Sequence, residues 1–258
     1  MRETVLYNKE RMEQILQIVK ESGSVSVNEL ASRFRVSGAT IRSDLTKLEN
    51  SGAVTRTHGG VMLSSGLLRE SKPTDRLHDA QKRAVAERAL DYIQNGDVIL
   101  LDTGTTMVSL ARAIARSRIE ELTVFTNDLD VARILEGKER FTLCLLGGRV
   151  RNGFHYCYSP EMLLELSGCH FHKLFLATSA IHLEHGLTTE NPDLAQIKQG
   201  MIRASGQVIL LTDATKFDQI HLKKFADLAD LSVVIVDKAL PSATEEALRR
   251  TVGEVILV

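Results

Sequence analysis

Residues 27–61 read VNELASRFRVSGATIRSDLTKLENSGAVTRTHGGV, and this stretch decides the fold of the N-terminal part of the chain. Ser26 and Glu29 have the spacing of a capping box, which predicts the start of a helix. Ser37 predicts the cap of the next helix, and residues 9–22 predict an earlier one. The inner face of the third helix is predicted to be Ile41, Leu45 and Leu48. Three short capped helices separated by tight turns predict a helix-turn-helix.

A β-hairpin is predicted directly after the third helix. Residues 53–57 favour a strand, 58–60 a turn, and 61–63 a returning strand. A hairpin at this place is the wing of a winged helix-turn-helix, so residues 1–63 are predicted to form a DNA-binding domain. Residues 64–78 are rich in Ser, Gly, Pro and charge without periodicity, which predicts a linker.

Beyond the linker, apolar strand-like segments alternate with helical ones. The run Val98-Ile99-Leu100-Leu101 is typical of a strand buried on both faces, and a helix is predicted at 106–116. Further strands are predicted at 122–126, 142–146, 173–177, 208–212, 232–236 and 255–258. The alternation predicts an α/β domain over residues 79–258, with a mostly parallel sheet and helices on both faces.

Composition restricts the class of protein. The 258 residues carry a formal net charge of −1, so DNA binding has to depend on where basic residues lie. Three cysteines without paired spacing fit a reducing compartment. The N-terminus resembles no signal peptide, and the sequence contains no apolar run of membrane-spanning length. We therefore expect a cytoplasmic protein with no membrane contact, no cofactor and no metal.

The outer face of the third helix supplies candidate DNA contacts. Arginine suits guanine, and hydroxyl groups and lysine suit bases or phosphates. Residues 1–62 hold nine Lys and Arg against seven Asp and Glu, so a plain solvated helix face is the alternative. The capped helices and the hairpin favour double-stranded DNA as the partner. The candidates are Arg35, Ser37, Thr40, Arg42, Ser43, Thr46, Lys47, Arg56 and His58.

Polar turns follow the predicted strands of the second domain. Asp102-Thr103-Gly104-Thr105-Thr106 lies between a strand and a helix, where free N–H groups and hydroxyls can bind phosphate. Because the carboxyl ends of parallel strands meet at one edge of the sheet, the other turns are expected to converge there. A glycine cap without a ligand is the alternative. The remaining residues in these turns are Asn127, Gly147, Gly148, Asp213 and Lys216.

Residues 27–61 resemble the DeoR/GlpR family of bacterial sugar-metabolism repressors, whose pattern includes T-I-R-R-D-L and an R-x-x-G-G wing. The later turns resemble the family's sensor domain. The resemblance implies a fold similar to ribose-5-phosphate isomerase and a phosphorylated sugar as effector. It implies phosphate contacts from Gly104, Thr105, Thr106 and Lys216, and sugar hydroxyl contacts from Asp102 and Asn127. Lys198 is a further candidate cation.

Three positions depart from the family pattern. Ser43 replaces the second arginine of the helix, so the operator preference is expected to differ. Residues 177–180 read ATSA where a Gly-x-Asp-Gly-like turn is usual, and residues 152–158 replace a serine-rich segment. A single helix-turn-helix covers little DNA, so a homodimer or homotetramer is expected.

Two other functions are alternatives. A sugar-phosphate isomerase needs a positioned general base, and residues 178–180 offer no carboxylate there. A metal sensor would use His155, Cys157, Cys169, His170 and His172, but their spacing fits a tetrahedral site poorly. A repressor of carbohydrate-metabolism genes remains the favoured function, with the isomerase-like enzyme as the alternative.

Overall fold

The computed structural model describes residues 8–22, 24–50, 54–56, 60–63 and 79–258. The chain divides into two units, residues 1–69 and 70–258. The predicted linker at 64–78 lies outside the described residues, so the domain boundaries at 63 and 79 stay a prediction. None of the helices in the described part of the chain is long and apolar enough to cross a membrane.

The N-terminal unit is a winged helix-turn-helix, as predicted. Ser26 Oγ accepts from Glu29 N at 3.1 Å, and Ser37 Oγ accepts from Thr40 N at 3.1 Å, so both predicted helix caps form. The elements are α1 (Asn8–Ser22), β1 (Ser24–Ser26), α2 (Val27–Phe34), α3 (Gly38–Asn50), β2 (Val54–Arg56) and β3 (Gly60–Leu63). The strands form an antiparallel sheet in the order β1-β3-β2. Strand β1 was not predicted, because three residues give too little pattern.

A small apolar core joins the helices to this sheet. The predicted inner face of α3 is buried in that core. An ion pair between Arg11 Nε and Asp44 Oδ2, 2.7 Å long and almost inaccessible to solvent, also links α1 to α3. The core consists of Ile15, Ile18, Val19, Val25, Val27, Leu30, Ile41, Leu45, Leu48 and Val61.

The C-terminal unit is the predicted α/β domain. Its helices are α4 (Asp79–Ala89), α5 (Thr105–Arg116), α6 (Leu129–Leu135), α7 (Pro160–Ser167), α8 (Pro192–Arg203) and α9 (Ser242–Arg249). Its strands are β4 (Val98–Leu101), β5 (Leu122–Thr126), β6 (Phe141–Leu145), β7 (Arg149–Arg151), β8 (Tyr156–Tyr158), β9 (Phe171–Leu176), β10 (Ala180–His182), β11 (Gly186–Thr189), β12 (Ser205–Leu211), β13 (Lys223–Ala226), β14 (Val233–Val236) and β15 (Glu254–Leu257). Apolar clusters lie on both faces of the sheet.

Seven parallel strands make the main sheet, in the order β15-β14-β12-β9-β4-β5-β6. From β4 the chain adds β5 and β6 on one side and then returns to place β9 on the other. The boundary between β4 and β9 is therefore the topological switch point, where open α/β sheets form a ligand crevice at the carboxyl ends of the strands.

The predicted strands agree with the main sheet to within a few residues. Strand β12 begins at Ser205, three residues before the predicted start, because its polar first residues still pair with β9. The apolar run marked only the buried part of that strand. Two small antiparallel sheets, β10-β11-β13 and β7-β8, were not predicted.

Candidate functional site

The outer face of α3 presents the predicted DNA contacts to solvent. Arg42, Ser43, Thr46 and Lys47 are exposed, whereas Ile41 and Leu45 on the opposite side are fully buried. Thr46 Oγ1 donates to the backbone oxygen of Arg42 at 2.8 Å. The helix therefore offers one polar, basic surface of the size that enters a major groove.

Three predicted contacts between the end of α2 and the start of α3 also have structural roles. The hydroxyls of Ser37 and Thr40 lie 2.9 Å apart, and Ser37 caps the helix. Arg35 is exposed and has the left-handed backbone that ends α2, with φ +51°. The side chain of Arg56 and the whole of His58 lie outside the described residues.

The second set of candidates is distributed along one edge of the main sheet. Five neighbouring strands of the sheet end side by side at this edge, in the spatial order β6, β5, β4, β9 and β12. The turns after β5, β4 and β12 carry Asn127, Asp102 and Asp213 respectively. The turns after these strands therefore lie along the same edge of the sheet, as the parallel arrangement predicts.

A buried ion pair occupies the switch point. Asp102 Oδ2 accepts hydrogen bonds from the Lys198 ammonium and from Ala177 N, the latter at 3.0 Å. Lys198 Nζ also donates to Ala177 O at 2.9 Å and lies 5.4 Å from the ring centroid of Phe225. Lys198 is 3% exposed, so the structure places this predicted cation beside Asp102 but already neutralised by it.

The turn after Asp102 leads into the N-terminus of α5. Gly104 has φ +127°, which favours glycine, and it caps α5 without a side-chain hydrogen bond. Gly104 N and Thr103 Oγ1 donate to Asp128 Oδ2 at 3.1 and 2.9 Å. The half-buried Thr105 and Thr106 begin the helix, so its first N–H groups and the positive end of its dipole point out of the turn.

Asp128 organises this edge and was not among the predicted site residues. Its Oδ1 accepts from Asp130 N at 2.9 Å and from Val131 N at 3.0 Å, which caps α6, while Oδ2 holds the turn before α5. Burial raises the pKa of the Asp128 carboxyl, against the lowering effect of these hydrogen bonds. Its position directly after Thr126-Asn127 was the available signal.

Three buried oxygens have no hydrogen-bond partner among the described residues. They are Asp102 Oδ1, Asn127 Oδ1 and Thr189 Oγ1, and all three side chains belong to residues with no solvent exposure. Asn127 otherwise donates through Nδ2 to Cys157 O at 2.9 Å. A buried acceptor without a donor is costly, so such atoms mark places where a ligand or a water belongs. Thr189 was missed, because nothing in its local sequence separates it from Thr188.

A short 3-10 helix, Ala214–Lys216, follows β12; Asp213 caps its start and Lys216 ends it. Asp213 Oδ1 accepts from Thr215 N at 3.0 Å and from the Thr215 hydroxyl, so Asp213 shapes its own turn. No carboxylate of the described residues pairs with the half-buried Lys216 ammonium. Lys216 is therefore available to an anion, whereas Lys198 is not.

The predicted glycine pair belongs to a different cavity. Gly147 and Gly148 line a cleft of about 770 Å³ together with Arg149, Glu161, Glu165 and Asp193. A Cβ at Gly148 would lie 2.7 Å from Tyr158 O, and φ is +139°, so the close approach of β7 and β8 explains this glycine without a ligand. Three carboxylates against one guanidinium make this cleft unfavourable for a phosphate.

Three of the five residues of the alternative metal site have separate partners. His155 Nδ1 lies 2.8 Å from Asp130 Oδ2, and His172 Nδ1 lies 3.3 Å from Asp97 Oδ1. Cys169 Sγ donates to Glu165 O at 3.3 Å, and Cys157 is buried. The structure does not bring this set together.

Each of the two units matches the model of a known protein family. The model of the DeoR-like helix-turn-helix domain matches residues 11–66, and the model of the DeoR C-terminal sensor domain matches residues 77–238. A candidate aga operon transcriptional repressor of Escherichia coli O157:H7 is 36% identical over 96% of this chain and 93% of its own length. The transcriptional repressor GlcR of Bacillus subtilis is 28% identical, over 98% and 97%.

A solved structure, ribose 5-phosphate isomerase A from Neisseria gonorrhoeae, overlaps 57% of this chain and 56% of its own. With a TM-score of 0.39 and 13% identity, that overlap carries no argument about function. The relatives named for a function are transcriptional regulators, so the isomerase alternative is set aside. The winged helix-turn-helix, the parallel α/β sensor domain and the two family matches together show that the chain belongs to the DeoR family of transcriptional repressors.

Proposed function

We propose that this repressor binds operator DNA through α3 and responds to a phosphorylated sugar bound at the switch point of the sensor domain. One observation carries the sensor part of the proposal. The uncapped N-terminus of α5 lies next to Asp102, which keeps a buried oxygen without a partner among the described residues. An anion site beside an unsatisfied acceptor suits a ligand that has both a phosphate and hydroxyl groups.

The phosphate is assigned to the turn Gly104-Thr105-Thr106. Backbone N–H groups at a helix N-terminus bind anions by hydrogen bonding and by the helix dipole. The two threonine hydroxyls add donors, and Gly104 allows the phosphate to approach the backbone closely. Lys216, two strands away along the same edge and without a carboxylate partner in the described chain, supplies the compensating charge.

The sugar is assigned to the orphan acceptors. Asp102 Oδ1 and Asn127 Oδ1 can only accept hydrogen bonds, so they require donors. Sugar hydroxyls are such donors, and a phosphate group without a protonated oxygen is not. Asp102 and Asn127 therefore select for a polyol joined to the phosphate.

Operator binding is assigned to Arg42 and its neighbours. An exposed arginine on a recognition helix can read guanine through two hydrogen bonds, while Lys47 and the hydroxyls suit phosphates. We propose a dimer or tetramer, because one recognition helix reads only one half-site.

The effector site is tested by thermal shift of the full chain with a panel of sugar phosphates and with the unphosphorylated sugars. A ligand that binds the folded state raises the melting temperature. Thr105→Glu and Lys216→Glu should abolish the shift, because each adds a negative charge beside the phosphate. Thr142→Glu, an exposed threonine in β6, is the matched control. A shift that survives in both site variants would place the effector elsewhere.

Operator binding is tested by gel-shift titration. Arg42→Ala should lose about 1–3 kcal/mol of specific affinity with no change in stability. Lys47→Ala should weaken specific and non-specific DNA equally and reduce the salt slope by about one. Equal behaviour of the two variants would remove Arg42 from sequence recognition.

A further inference from the structure

A cluster of metal-binding side chains lies at the turn of the β10–β11 hairpin, outside the effector site. The hairpin pairs Ala180 with Thr188 and His182 with Gly186. Three residues, 183–185, close the loop, and Gly186 has φ +75°. A three-residue loop followed by a left-handed glycine is a common hairpin geometry, and it brings the first and fourth residues of the turn together.

Those two residues are histidines. The ring centroids of His182 and His185 lie 4.8 Å apart, and Glu184 lies between them in the sequence. One ligand atom from each of the three side chains lies within 4.8 Å of the other two. His182 is half-buried, and Glu184 and His185 are exposed, so an ion can reach the cluster from solvent.

The backbone beneath the cluster is fixed. A Cβ on Gly186 would lie 2.2 Å from Ala226 O, so the turn is pressed against β13 and its conformation depends on glycine. His182 Nδ1 accepts a hydrogen bond from Glu184 N at 3.2 Å. That nitrogen therefore carries a lone pair, and a metal ion would take the place of one long hydrogen bond.

We propose that His182, Glu184 and His185 bind a divalent transition-metal ion, of which zinc fits best, with water as the fourth ligand. Two imidazoles and one carboxylate are a donor set that zinc accepts in tetrahedral geometry. Calcium and magnesium prefer sites made of oxygen alone. The ligand atoms lie within 4.8 Å of one another, and coordination requires them to be about 3.3 Å apart, the separation that zinc–nitrogen bonds of about 2.0 Å impose.

The ion would join the two ends of the turn. Its binding would hold β10 against β11 and so stabilise the small sheet β10-β11-β13. The same hairpin carries Thr188, whose Oγ1 accepts from His221 N at 2.8 Å, so a firmer hairpin also steadies the loop after β12. This proposal stands independently of the effector and of DNA.

The test uses the full chain, stripped with a chelator and dialysed, and titrated with zinc chloride by calorimetry. Cobalt replaces zinc in a parallel titration, because its absorption spectrum reports tetrahedral coordination. The variants are His185→Asn and Glu184→Gln, both at exposed positions where folding is not at risk. His155→Asn is the matched control, since His155 is also exposed and lies beside Asp130 in another part of the domain.

We expect one zinc ion per chain to bind in the wild type and in His155→Asn. His185→Asn should weaken this binding by at least about tenfold, and Glu184→Gln should weaken it less. Hydrogen exchange of residues 180–189 should slow on zinc addition in the wild type and not in His185→Asn. Unchanged affinity in both site variants, or no zinc binding by the wild type at high micromolar zinc, would overturn the proposal.

Discussion

Each end of strand β4 has an ion pair between an aspartate and a lysine, but the two aspartates differ in their other hydrogen-bond partners. At the start, Asp97 meets Lys173 of β9, and at the end, Asp102 meets Lys198 of α8. Asp97 has a polar neighbour at each oxygen: Oδ2 accepts from Lys173 and from Gln94 N at 2.8 Å, and Oδ1 lies 3.3 Å from His172 Nδ1. Asp102 uses Oδ2 alone, and Oδ1 has no partner in the described chain.

The difference separates a carboxylate with a structural role from one that we propose to bind the effector. Asp97 lies at the end of the sheet opposite the switch point, and its ion pair with Lys173 links the start of β4 to β9. Asp102 lies at the switch point, is fully buried, and keeps one acceptor in reserve. The two aspartates therefore differ in burial and in hydrogen-bond partners according to which end of β4 they flank.

The largest expected effect comes from removing the lysine at the crevice. Lys198→Met should lower the free energy of unfolding of the sensor domain by about 3–5 kcal/mol, because Asp102 would remain buried without a counter-charge. Urea denaturation followed by circular dichroism measures it. Lys216→Met, without an ion pair among the described residues, is the control and should change stability by less than about 0.5 kcal/mol. A similar loss of stability in both variants would contradict the role of Lys198 as the counter-charge of Asp102.

The second prediction concerns the reserved oxygen. Asp102→Asn retains one oxygen for Lys198 and Ala177 and turns the other position from acceptor into donor. Affinity for the sugar phosphate that shifts the wild type should fall by about 1–3 kcal/mol, as measured by calorimetry. Asp97→Asn, at the opposite end of β4, should leave that affinity unchanged. Retained affinity in Asp102→Asn would mean that Oδ1 holds a water.

The ion pair between Asp97 and Lys173 should contribute less to stability than the pair at the switch point. Lys173→Met should cost about 1–2 kcal/mol of stability, less than Lys198→Met, because Asp97 keeps Gln94 N and limited contact with water. The measurement is the same urea titration. A loss that exceeds that of Lys198→Met would break the contrast between the two ends.

The smallest effect is in the pH dependence. Burial would raise the pKa of Asp97, but hydrogen bonds from Lys173 and Gln94 N outweigh it and hold the pKa below its ordinary value of 3.8. A depressed pKa contributes stability above pH 3.8 that is lost as the pH falls through the folded-state value. Lys173→Met should flatten this acid loss by less than about 1 kcal/mol. An unchanged acid profile would show that Lys173 does not set this pKa.

Much of the fold could be predicted because its signals are local. Each helix cap, at Ser26 and at Ser37, bonds to a residue only three positions away. The apolar run Val98–Leu101 is itself the strand that it predicts. Strand β1 and the sheet β10-β11-β13 escaped prediction because their short strands depend on pairing with residues far along the chain.

The candidate site divides in the same way. The turn Asp102–Thr106 follows a strand and opens a helix, so its position could be read from the sequence. Lys198 is neutralised by Asp102, which lies 96 positions away in the sequence. Position 148 requires glycine because the backbone oxygen of Tyr158 leaves no room for a side chain. No local pattern reports a contact of that kind.

Asp128 has a consequence for the kinetics of ligand capture. One of its oxygens holds the turn before α5 and the other holds the first turn of α6, so both helix N-termini are fixed to a single buried side chain. The turn that we propose to receive the phosphate is then held by these hydrogen bonds before the ligand arrives, so the proposed site needs no loop to fold during the encounter. We therefore expect association to be limited by diffusion and access to the crevice, and differences between sugars to appear in how fast each one leaves.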